Sequence, residues 1–310
     1  MRAFVPGGAG FIGSHAVEKL LGTPGIDRVT VFDNFSSGHL DFLPRDAERL
    51  DIVRGDISNL ASLTDAMQGH DVVLHFASNP DISQAITNPS IDFWQGTVLT
   101  QNVVEAMRCS GTRQILYASG SGIYGDYGHH VLDEDYGPLL PVSTYGASKL
   151  AGESIICAYC HMFGLRAWVF RFGNVVGPRQ THGVLFDFIR RLKADPSKLF
   201  IKGDGAQSKP YVHVQDVLNA VWLAWQKTGD CFNFFNVATD DATTVSEIAS
   251  IAVNALELKN VPFEYAGGKL GWPGDVPVVR MDSSKIKKLG WRAQRSSNQA
   301  VDDAAKSLAK

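Results

Sequence analysis

The chain opens with MRAFVPGGAGFIGSHAVEKLL, residues 1–21, in which a short apolar strand runs into a glycine-rich turn and then into an amphipathic helix. A helix N-terminus presents unpaired N–H groups and the positive end of its dipole to an anion. Glycine lets the backbone turn sharply there and lets a pyrophosphate come close. The turn therefore predicts a dinucleotide phosphate site, whose residues are Gly7, Gly10, Phe11, Ile12 and Gly13.

A second apolar run ends in an acidic residue at the spacing that a ribose requires. Residues 28–32 read as a strand, and Asp33 follows about twenty residues after the last glycine of the turn. The carboxylate of Asp33 can accept a hydrogen bond from a ribose 2′-hydroxyl, and it repels a 2′-phosphate. We therefore expect NAD rather than NADP. The alternative is that Asp33 only opens the loop that follows.

A tyrosine and a lysine four residues apart lie in a segment with the apolar spacing of a helix. Tyr145 and Lys149 therefore share one face of that helix. A cation roughly 6 Å from a phenol, at an effective dielectric of about 20, favours the phenolate by about 2–3 kcal/mol. This lowers a phenol pKa from about 10 towards neutrality, where the oxygen can act as a base. The same spacing also occurs on solvated helix faces, so the pair gains weight only alongside the glycine turn.

Composition and charge exclude several classes of protein. The 310 residues carry a formal net charge of −3 without a basic run, so neither nucleic acid nor an anionic membrane is an expected partner. No apolar stretch approaches the length of a membrane span. The first strand begins at residue 2, which leaves no room for a signal peptide, and the four cysteines form no disulfide framework. We therefore expect a cytoplasmic protein.

The sequence CAYCH at residues 157–161 matches the attachment pattern of a c-type haem. Haem attachment requires export, however, and these residues continue the helix that starts at Tyr145. We therefore interpret Cys157 and Cys160 as two buried helix cysteines, and we expect no metal site.

Apolar runs typical of strands alternate with amphipathic helical patterns over the first half of the chain. This alternation predicts an α/β fold with a doubly wound parallel sheet of the Rossmann type. We expect a NAD-binding domain over residues 1–172 and a smaller α/β substrate lobe mainly over residues 173–310, with an interleaved boundary. The predicted strands are 3–5, 29–32, 51–53, 72–76, 114–117 and 167–170. The predicted helices are 12–21, 60–67, 91–108, 145–163, 184–193, 215–226, 245–255 and 297–309.

Together these motifs resemble the extended short-chain dehydrogenase/reductase family, in its branch of NAD-dependent nucleotide-sugar epimerases and dehydratases. The resemblance covers nearly the whole chain. It implies inversion of C4 of a UDP-hexose of the glucose/galactose pair through a transient 4-keto intermediate. The small Val279, where some members carry a bulky tyrosine, leaves room for the N-acetylated pair as well. The residues that carry the resemblance are 7–13, 33–34, 55–57, 75–78, 123–125, 145–149, 171–174, 176–179 and 203–205.

The resemblance implies a set of residues around NAD. Asp56 and Ile57 would hold the adenine ring, and Lys149 would both hold the nicotinamide ribose and polarise Tyr145. The other residues expected to bind the cofactor are Asn34, Ser37, Gly38, Phe76, Ala77, Ser78 and Ser119.

It also implies a substrate site. Asn174 would contact the sugar nucleotide, and Lys209 stands where the family places a diphosphate-binding arginine. Tyr145 would be the catalytic acid and base. The other expected substrate residues are Ser121, Val184, Tyr211 and Asp275.

Two departures from the family pattern bear on this assignment. The family expects a serine or threonine four residues before Tyr124, where this chain has Gly120. Ser121, between two glycines, could supply the hydroxyl, with a water molecule as the alternative. Trp272 stands where a second phosphate-binding arginine is expected, and Lys269 or Arg280 could replace that charge.

Two other functions remain open, and both keep the cofactor fold. A 4,6-dehydratase shares the first hydride step but needs an acid–base pair, whereas this chain has Ser121 and Gly122 there. A dinucleotide-sensing protein without activity would be consistent with Gly120, although Tyr145 and Lys149 speak against it. The apolar helices over residues 91–108 and 145–163 further suggest a homodimer, because relatives pair two such helices from each subunit.

Overall fold

The computed structural model describes residues 1–44 and 47–310. The chain divides into two compact units, each assembled from three stretches of sequence. The first unit contains Met1–Ser119, Ser148–Phe170 and Val221–Phe234. The second unit contains Gly120–Ala147, Arg171–Ala220 and Phe235–Lys310.

The strands of the described residues are numbered in chain order. They are β1 (Arg2–Pro6), β2 (Arg28–Asp33), β3 (Leu50–Arg54), β4 (Val72–His75), β5 (Gln114–Gly120), β6 (Arg166–Phe172), β7 (Asn174–Val176), β8 (Leu199–Ile201), β9 (Ser208–Lys209), β10 (Tyr211–His213), β11 (Phe232–Val237), β12 (Thr243–Thr244) and β13 (Phe263–Tyr265).

The largest sheet has seven strands, and its order is that of a doubly wound fold. The order is β11-β6-β5-β4-β1-β2-β3, so the chain moves outwards from β1 first to one edge and then to the other. Strand β1 pairs in parallel with both β2 and β4, and the pairs β2–β3 and β4–β5 are also parallel. In such a sheet a ligand binds beyond the carboxyl ends of the strands, at the point where the order reverses.

The six strands predicted from the sequence all belong to this sheet, which confirms the predicted α/β fold. Strand β11 was missed, because its sequence FNFFNV contains two asparagines, which are uncommon in strands. Both asparagines are buried, and Asn233 donates to the carbonyl oxygen of Ala167 over 3.1 Å. Tertiary hydrogen bonds therefore override a local preference that argues against a strand.

All eight predicted helices are present. The helix predicted over residues 91–108 contains a π-helical turn, Phe93–Val98, near its start. A short lysine-rich helix, Ser284–Lys288, was not predicted. The α-helices are α1 (Phe11–Leu21), α2 (Leu60–Met67), α3 (Leu99–Ser110), α4 (Thr144–Phe163), α5 (Val184–Ala194), α6 (Val214–Lys227), α7 (Val245–Ala255), α8 (Ser284–Lys288) and α9 (Ser297–Ala309).

Each unit has an apolar core of its own. In the first unit, α2, α3 and α4 cover one face of the sheet through residues such as Leu63, Met107 and Ile156. In the second unit, α5, α7 and α9 pack together through residues such as Phe188 and Ile248. Strand β4 is buried along its whole length, as a central parallel strand with helices on both faces must be.

The burial of the cysteines corrects one expectation, and the described residues add two facts, one about metal sites and one about membrane spans. Cys160 is buried, but Cys157 is only half-buried, so the interpretation of both as buried was wrong for Cys157. Among residues 1–44 and 47–310, no group of histidine, cysteine and acidic side chains has the arrangement of a metal site. Over the same residues, no helix has the length and apolarity that crossing a bilayer requires.

The turn between β1 and α1 is packed so closely that two of its glycines cannot carry a side chain. Gly7 has φ +78°, and a Cβ on it would lie 2.6 Å from the backbone nitrogen of Ala77. A Cβ on Gly13 would lie 2.9 Å from Cα of Gly8 and would clash with the carbonyl oxygen of Gly7. Glycine at these two positions therefore lets α1 start directly against the turn.

We expect Gly13→Ala to lower the free energy of unfolding by about 1–3 kcal/mol, because the methyl group must push α1 away from the turn. Gly22→Ala is the matched control, since a Cβ there would lie 3.7 Å from the carbonyl oxygens of Glu18 and Lys19, an ordinary contact. The control should be neutral or stabilising by up to about 1 kcal/mol. Urea unfolding at neutral pH measures both changes. Equal stability of the two variants would contradict this account of the turn.

Candidate active site

The start of α1 is arranged to bind an anion. Gly10 is the N-cap of α1, and within the described part of the chain no side chain caps this end of the helix. Phe11 and Ile12 begin the helix, so their N–H groups have no carbonyl partner within it. A pyrophosphate can approach these groups because glycine holds the turn open, and the helix dipole favours its charge.

Asp33 is tied to the same turn by its side chain. Its Oδ2 atom accepts a hydrogen bond from the backbone N–H of Ala9 over 3.0 Å, and Oδ1 accepts from the N–H of Phe35 over 2.8 Å. Each oxygen keeps a second lone pair, which can accept from a ribose hydroxyl. The backbone therefore fixes the carboxylate at the end of β2, where a dinucleotide site of this fold has its ribose-binding acid.

The residues expected around the adenine ring also lie together. The Nδ2 atom of Asn34 donates to Oδ2 of Asp56 over 3.0 Å, and the N–H of Ser58 donates to Oδ1 over 2.8 Å. These bonds, the one from Asn34 first, lower the pKa of Asp56. Ile57 is buried beside them. Two further expected residues are in the loop after β2, where Ser37 is exposed and Gly38 is buried. A Cβ on Gly38 would lie 2.9 Å from Cβ of Ala9, so this loop packs against the glycine turn.

The loop after β4 completes the cofactor end. The N–H groups of Phe76 and Ala77 both donate to the carbonyl oxygen of Pro6 over 3.2 Å, which holds this loop against β1. The hydroxyl of Ser78 is buried and has no hydrogen-bond partner among the residues that the structure describes. A buried polar atom without a partner is rare in folded proteins, and a bound ribose or phosphate would satisfy it. These residues therefore fit a dinucleotide.

Lys149 lies at the carboxyl end of β5. Its Nζ atom donates to the carbonyl oxygen of Ala118 over 2.8 Å and lies 5.2 Å from the centre of the Tyr117 ring. Burial lowers the pKa of Lys149 to about 8, and the charges of Asp92 and Glu153 oppose this effect. At pH 7 most molecules therefore still carry an ammonium group at this position.

His75, at the end of β4, is a neutral neighbour of this lysine. Its Nε2 atom lies 3.3 Å from the hydroxyl of Thr100, and its ring centre lies 5.5 Å from that of Tyr117. Complete burial and then the charge of Lys149 lower the pKa of His75 to about 3. The imidazole therefore adds no positive charge near Lys149 at physiological pH.

Tyr145 lies in the first turn of α4, one turn before Lys149, which confirms that both belong to one helix. The turn Ser121–Ile123 follows β5 and packs against the start of this helix. A Cβ on Gly122 would lie 3.5 Å from Cα of Gly146 and 4.0 Å from Cδ1 of Tyr145. Ser121 directly precedes this contact and is half-buried. The two glycines thus bring the Ser121 turn up to the tyrosine.

Four of the expected substrate residues form two pairs in the second unit. Asn174 in β7 faces Tyr211 in β10, and their side chains are hydrogen-bonded. Lys209 in β9 forms an ion pair with Asp275, with 2.6 Å between Nζ and Oδ1. The other oxygen of Asp275 accepts from the N–H of Gly271 over 3.1 Å. An amide, a phenol and a cation are therefore held in place by their own partners.

Three further residues of the expected substrate site, Val184, Arg280 and Lys209, are held by contacts within the second unit. Val184 is the first residue of α5 and packs at the edge of the apolar core, and no described side chain caps that helix end. Arg280 donates to the backbone oxygens of Ser208 and Val279 and to the Ser208 hydroxyl. Its guanidinium is therefore engaged within the protein. Lys209 is paired with an acid, so the local positive charge is smaller than the sequence suggests.

Sequence reasoning missed two buried acids, Asp92 and Glu153, whose charges act on Lys149. Glu153 could have been found, because it follows Lys149 by four residues and must share its helix face. Asp92 could not have been found in this way, because it is far from Lys149 in the sequence and only the folded chain brings the two together.

Comparison with known proteins identifies the family. The NAD dependent epimerase/dehydratase family matches residues 3–238, and the chain therefore belongs to it. The UDP-glucose 4-epimerase of Mycolicibacterium smegmatis is 32% identical over 305 residues, which cover 95% of this chain and 94% of that protein. The predicted family and its cofactor NAD are thereby confirmed.

Solved structures agree with this family. A crystal structure of a UDP-galactose 4-epimerase superposes with a TM-score of 0.89 at 37% identity, covering 100% of this chain and 99% of that one. The UDP-glucose 4-epimerase from Thermus thermophilus, solved in complex with NAD, superposes with a TM-score of 0.89 at 29% identity, with 99% of each chain covered.

Proposed function

We propose that this member of the NAD dependent epimerase/dehydratase family inverts C4 of a UDP-hexose, interconverting the glucose and galactose forms. The observation that carries the proposal is the placement of Tyr145 and Lys149 in consecutive turns of α4, with the Lys149 ammonium held at the end of β5. Similarity to 4-epimerases over nearly the whole chain supports the choice of reaction.

Tyr145 is the residue that moves the proton. The positive charge of Lys149 stabilises the phenolate, so that Tyr145 can accept the proton of the sugar 4-hydroxyl. NAD, when bound, supplies a reversible hydride acceptor for C4 of the sugar. The 4-keto sugar then presents its other face, and Tyr145 returns the proton to the oxygen once C4 has regained its hydrogen. The cycle ends without net oxidation of the sugar.

Ser121 is proposed as the hydroxyl that hydrogen-bonds the reacting oxygen in place of the family's serine or threonine. It lies in the turn that packs against the Tyr145 end of α4, whereas Gly120 has no side chain. The flanking residues Gly120 and Gly122 give this turn the freedom to present the hydroxyl. The serine would orient the 4-hydroxyl and stabilise the carbonyl oxygen that forms from it.

The diphosphate end is proposed to use Lys209 with Asn174 and Tyr211. A lysine is a compact point charge and lacks the bidentate geometry of arginine. Asp275 already pairs with Lys209, so binding of a diphosphate must compete with this ion pair or add to it. Val279 is small and buried, which favours acceptance of the N-acetylated sugars beside the plain hexoses.

A 4,6-dehydratase is the alternative within the family. That reaction needs a carboxylate to remove a proton from C5 and an acid to protonate the leaving hydroxyl. The turn after β5 offers Ser121 and Gly122, which provide neither. Formation of a 4-keto-6-deoxy sugar from the substrate panel described below would nevertheless favour the dehydratase. Binding of a sugar nucleotide without conversion would favour a sensing protein.

A reducing compartment suits this chain, and we propose the cytoplasm as its location. Cys109, Cys157, Cys160 and Cys231 are all free thiols, and Cys109 and Cys231 are exposed. Exposed thiols are kept reduced in the cytosol, whereas an oxidising compartment would favour their conversion to disulfides.

A homodimer through α3 and α4 is proposed as the working form. The two helices pack side by side, with Gln101 donating to the hydroxyl of Tyr159 over 2.7 Å. Large apolar side chains remain at the ends of this pair: Phe93 is 52% exposed, Trp94 59% and Met162 71%. Phe93 and Trp94 form an edge-on aromatic pair. Exposed aromatic clusters of this kind are typical of protein interfaces.

We expect Trp94→Glu to raise the dimer dissociation constant at least about a hundredfold, because it removes a large aromatic contact and buries a charge. Phe200→Glu is the matched control, since Phe200 is 47% exposed and lies on β8 in the second unit. Sedimentation velocity over a range of concentrations measures the effect. A wild-type protein that is monomeric, or equal dissociation in the two variants, would contradict the dimer.

We expect Tyr145→Phe to lower kcat for interconversion of UDP-glucose and UDP-galactose by about a thousandfold or more, since the proposed acid–base group is lost. NMR of the nucleotide-sugar pool, run with UDP-, dTDP- and GDP-sugars, identifies every product. Tyr159→Phe is the control, because Tyr159 lies on the same helix and bonds to Glu105 and Gln101 instead. A Tyr145→Phe enzyme within tenfold of the wild type would refute the mechanism.

A further inference from the structure

The first unit contains two buried carboxylates that the proposed reaction does not use. Glu153 on α4 is 5% exposed and Asp92 is 1% exposed. Acidic side chains are seldom buried to this extent unless they are paired with a cation or hydrogen-bonded, because burial disfavours their charge. Their position beside Lys149 therefore needs a reason.

Glu153 and Lys149 bind consecutive residues at the end of β5. The Lys149 ammonium donates to the carbonyl oxygen of Ala118, and the Ser119 hydroxyl donates to Oε1 of Glu153 over 2.5 Å. Lys149 and Glu153 are one turn apart and share a face of α4. The acid and the lysine are thus fixed against the same short segment of backbone.

Asp92 reaches the same place from another element. It precedes the π-helical turn Phe93–Val98, and its Oδ1 accepts from Nδ2 of Asn79 over 2.9 Å. That turn lies directly against α4, because a Cβ on Gly96 would come within 2.6 Å of the Ser148 hydroxyl. Ser148 immediately precedes Lys149, so the segment that follows Asp92 packs beside the lysine, and the charge of Asp92 acts on Lys149.

We propose that Glu153 and Asp92 are positioning residues that keep the buried Lys149 side chain in its ammonium form at the end of β5. The inference rests on the proposed function, because it concerns the cation that activates Tyr145. Two anions next to one buried cation offset the cost of removing the ammonium from water. Glu153 also holds the end of β5 through the Ser119 hydroxyl. The carbonyl oxygen of Ala118 therefore stays within hydrogen-bond distance of the Lys149 ammonium.

The groups around Lys149 come from α4 itself and from three elements packed against it. His75 on β4 is neutral at physiological pH, and Tyr117 on β5 presents its ring face. Asp92, ahead of the π-helical turn, and Glu153, on α4, are the two acids, and both raise the pKa of Lys149 against the larger effect of burial. Tyr145 on α4 is the group that the ammonium is to activate.

Removing either acid should therefore lower the pKa of Lys149. Loss of one negative charge lets burial lower the pKa of Lys149 further, so that the amine becomes neutral at a lower pH. The alkaline limb of kcat, set by loss of the ammonium, should then move to lower pH by the same amount. A purely structural role would reduce stability or the maximum rate without moving this limb.

The test is a pH titration of Lys149 by NMR in the full-length protein with NAD added. Protein labelled with ¹³C at the lysine Cε gives one signal per lysine, and the spectrum of Lys149→Met assigns the signal of interest. We expect Glu153→Gln and Asp92→Asn each to lower the pKa of Lys149 by about 1, a tenfold smaller ratio of ammonium to amine at a given pH.

Glu105→Gln is the control, because that carboxylate lies on α3 and pairs with Arg108. It should leave the titration of Lys149 unchanged. An unchanged Lys149 titration in Glu153→Gln and Asp92→Asn would overturn the inference. If one of these two variants does not fold, the Lys149 titration of the other variant tests the inference.

The titration does not require turnover. Failure of the inference is therefore distinct from failure of the proposed function, which would show as a wild-type enzyme that converts no sugar nucleotide.

Discussion

A positive charge buried at the end of a strand is the feature on which the proposed chemistry of this protein depends. The ammonium of Lys149 is held by the carbonyl oxygen of Ala118 and faces the ring of Tyr117. Burial lowers its pKa to about 8, and the nearby acids oppose that effect, so the charge persists at neutral pH. In the proposed mechanism the same charge, one helical turn from Tyr145, stabilises the phenolate that acts as the base. The proposed reactivity of the site thus depends on a single ion.

Close backbone packing at glycine provides the second constraint. At the cofactor end, Gly7 and Gly13 let α1 start against the turn that follows β1. At the start of α4, a Cβ on Gly146 would clash with the carbonyl oxygen of Gly122. In both places glycine, which has no side chain, allows the N-terminus of a helix to pack against a loop that follows a strand of the sheet. The second of these loops carries Ser121 to the start of α4, where Tyr145, the proposed acid–base residue, lies.

Much of this arrangement could be predicted from the sequence, because it depends on local patterns. The glycine turn, Asp33 and the pair Tyr145 and Lys149 are recognised by spacing along one or two elements. Strand β11 was missed, since its asparagines gain partners only from the folded chain. Asp92 was missed for the same reason. Half-burial of Cys157 also depends on packing that no periodicity reports. Local spacing predicts which residues lie on the same helix or strand. Only tertiary contacts decide which charged residues from different elements lie close together.

In the proposed reaction, C4 of the sugar gives up its hydrogen and regains the same atom within one catalytic cycle. The most direct measurement is turnover of UDP-galactose deuterated at C4 in ordinary water, with the UDP-glucose product examined by mass spectrometry and NMR. We expect the product to retain deuterium at C4, because the hydrogen never exchanges with solvent. Loss of the label to water, or its transfer to another carbon, would contradict the proposed reaction.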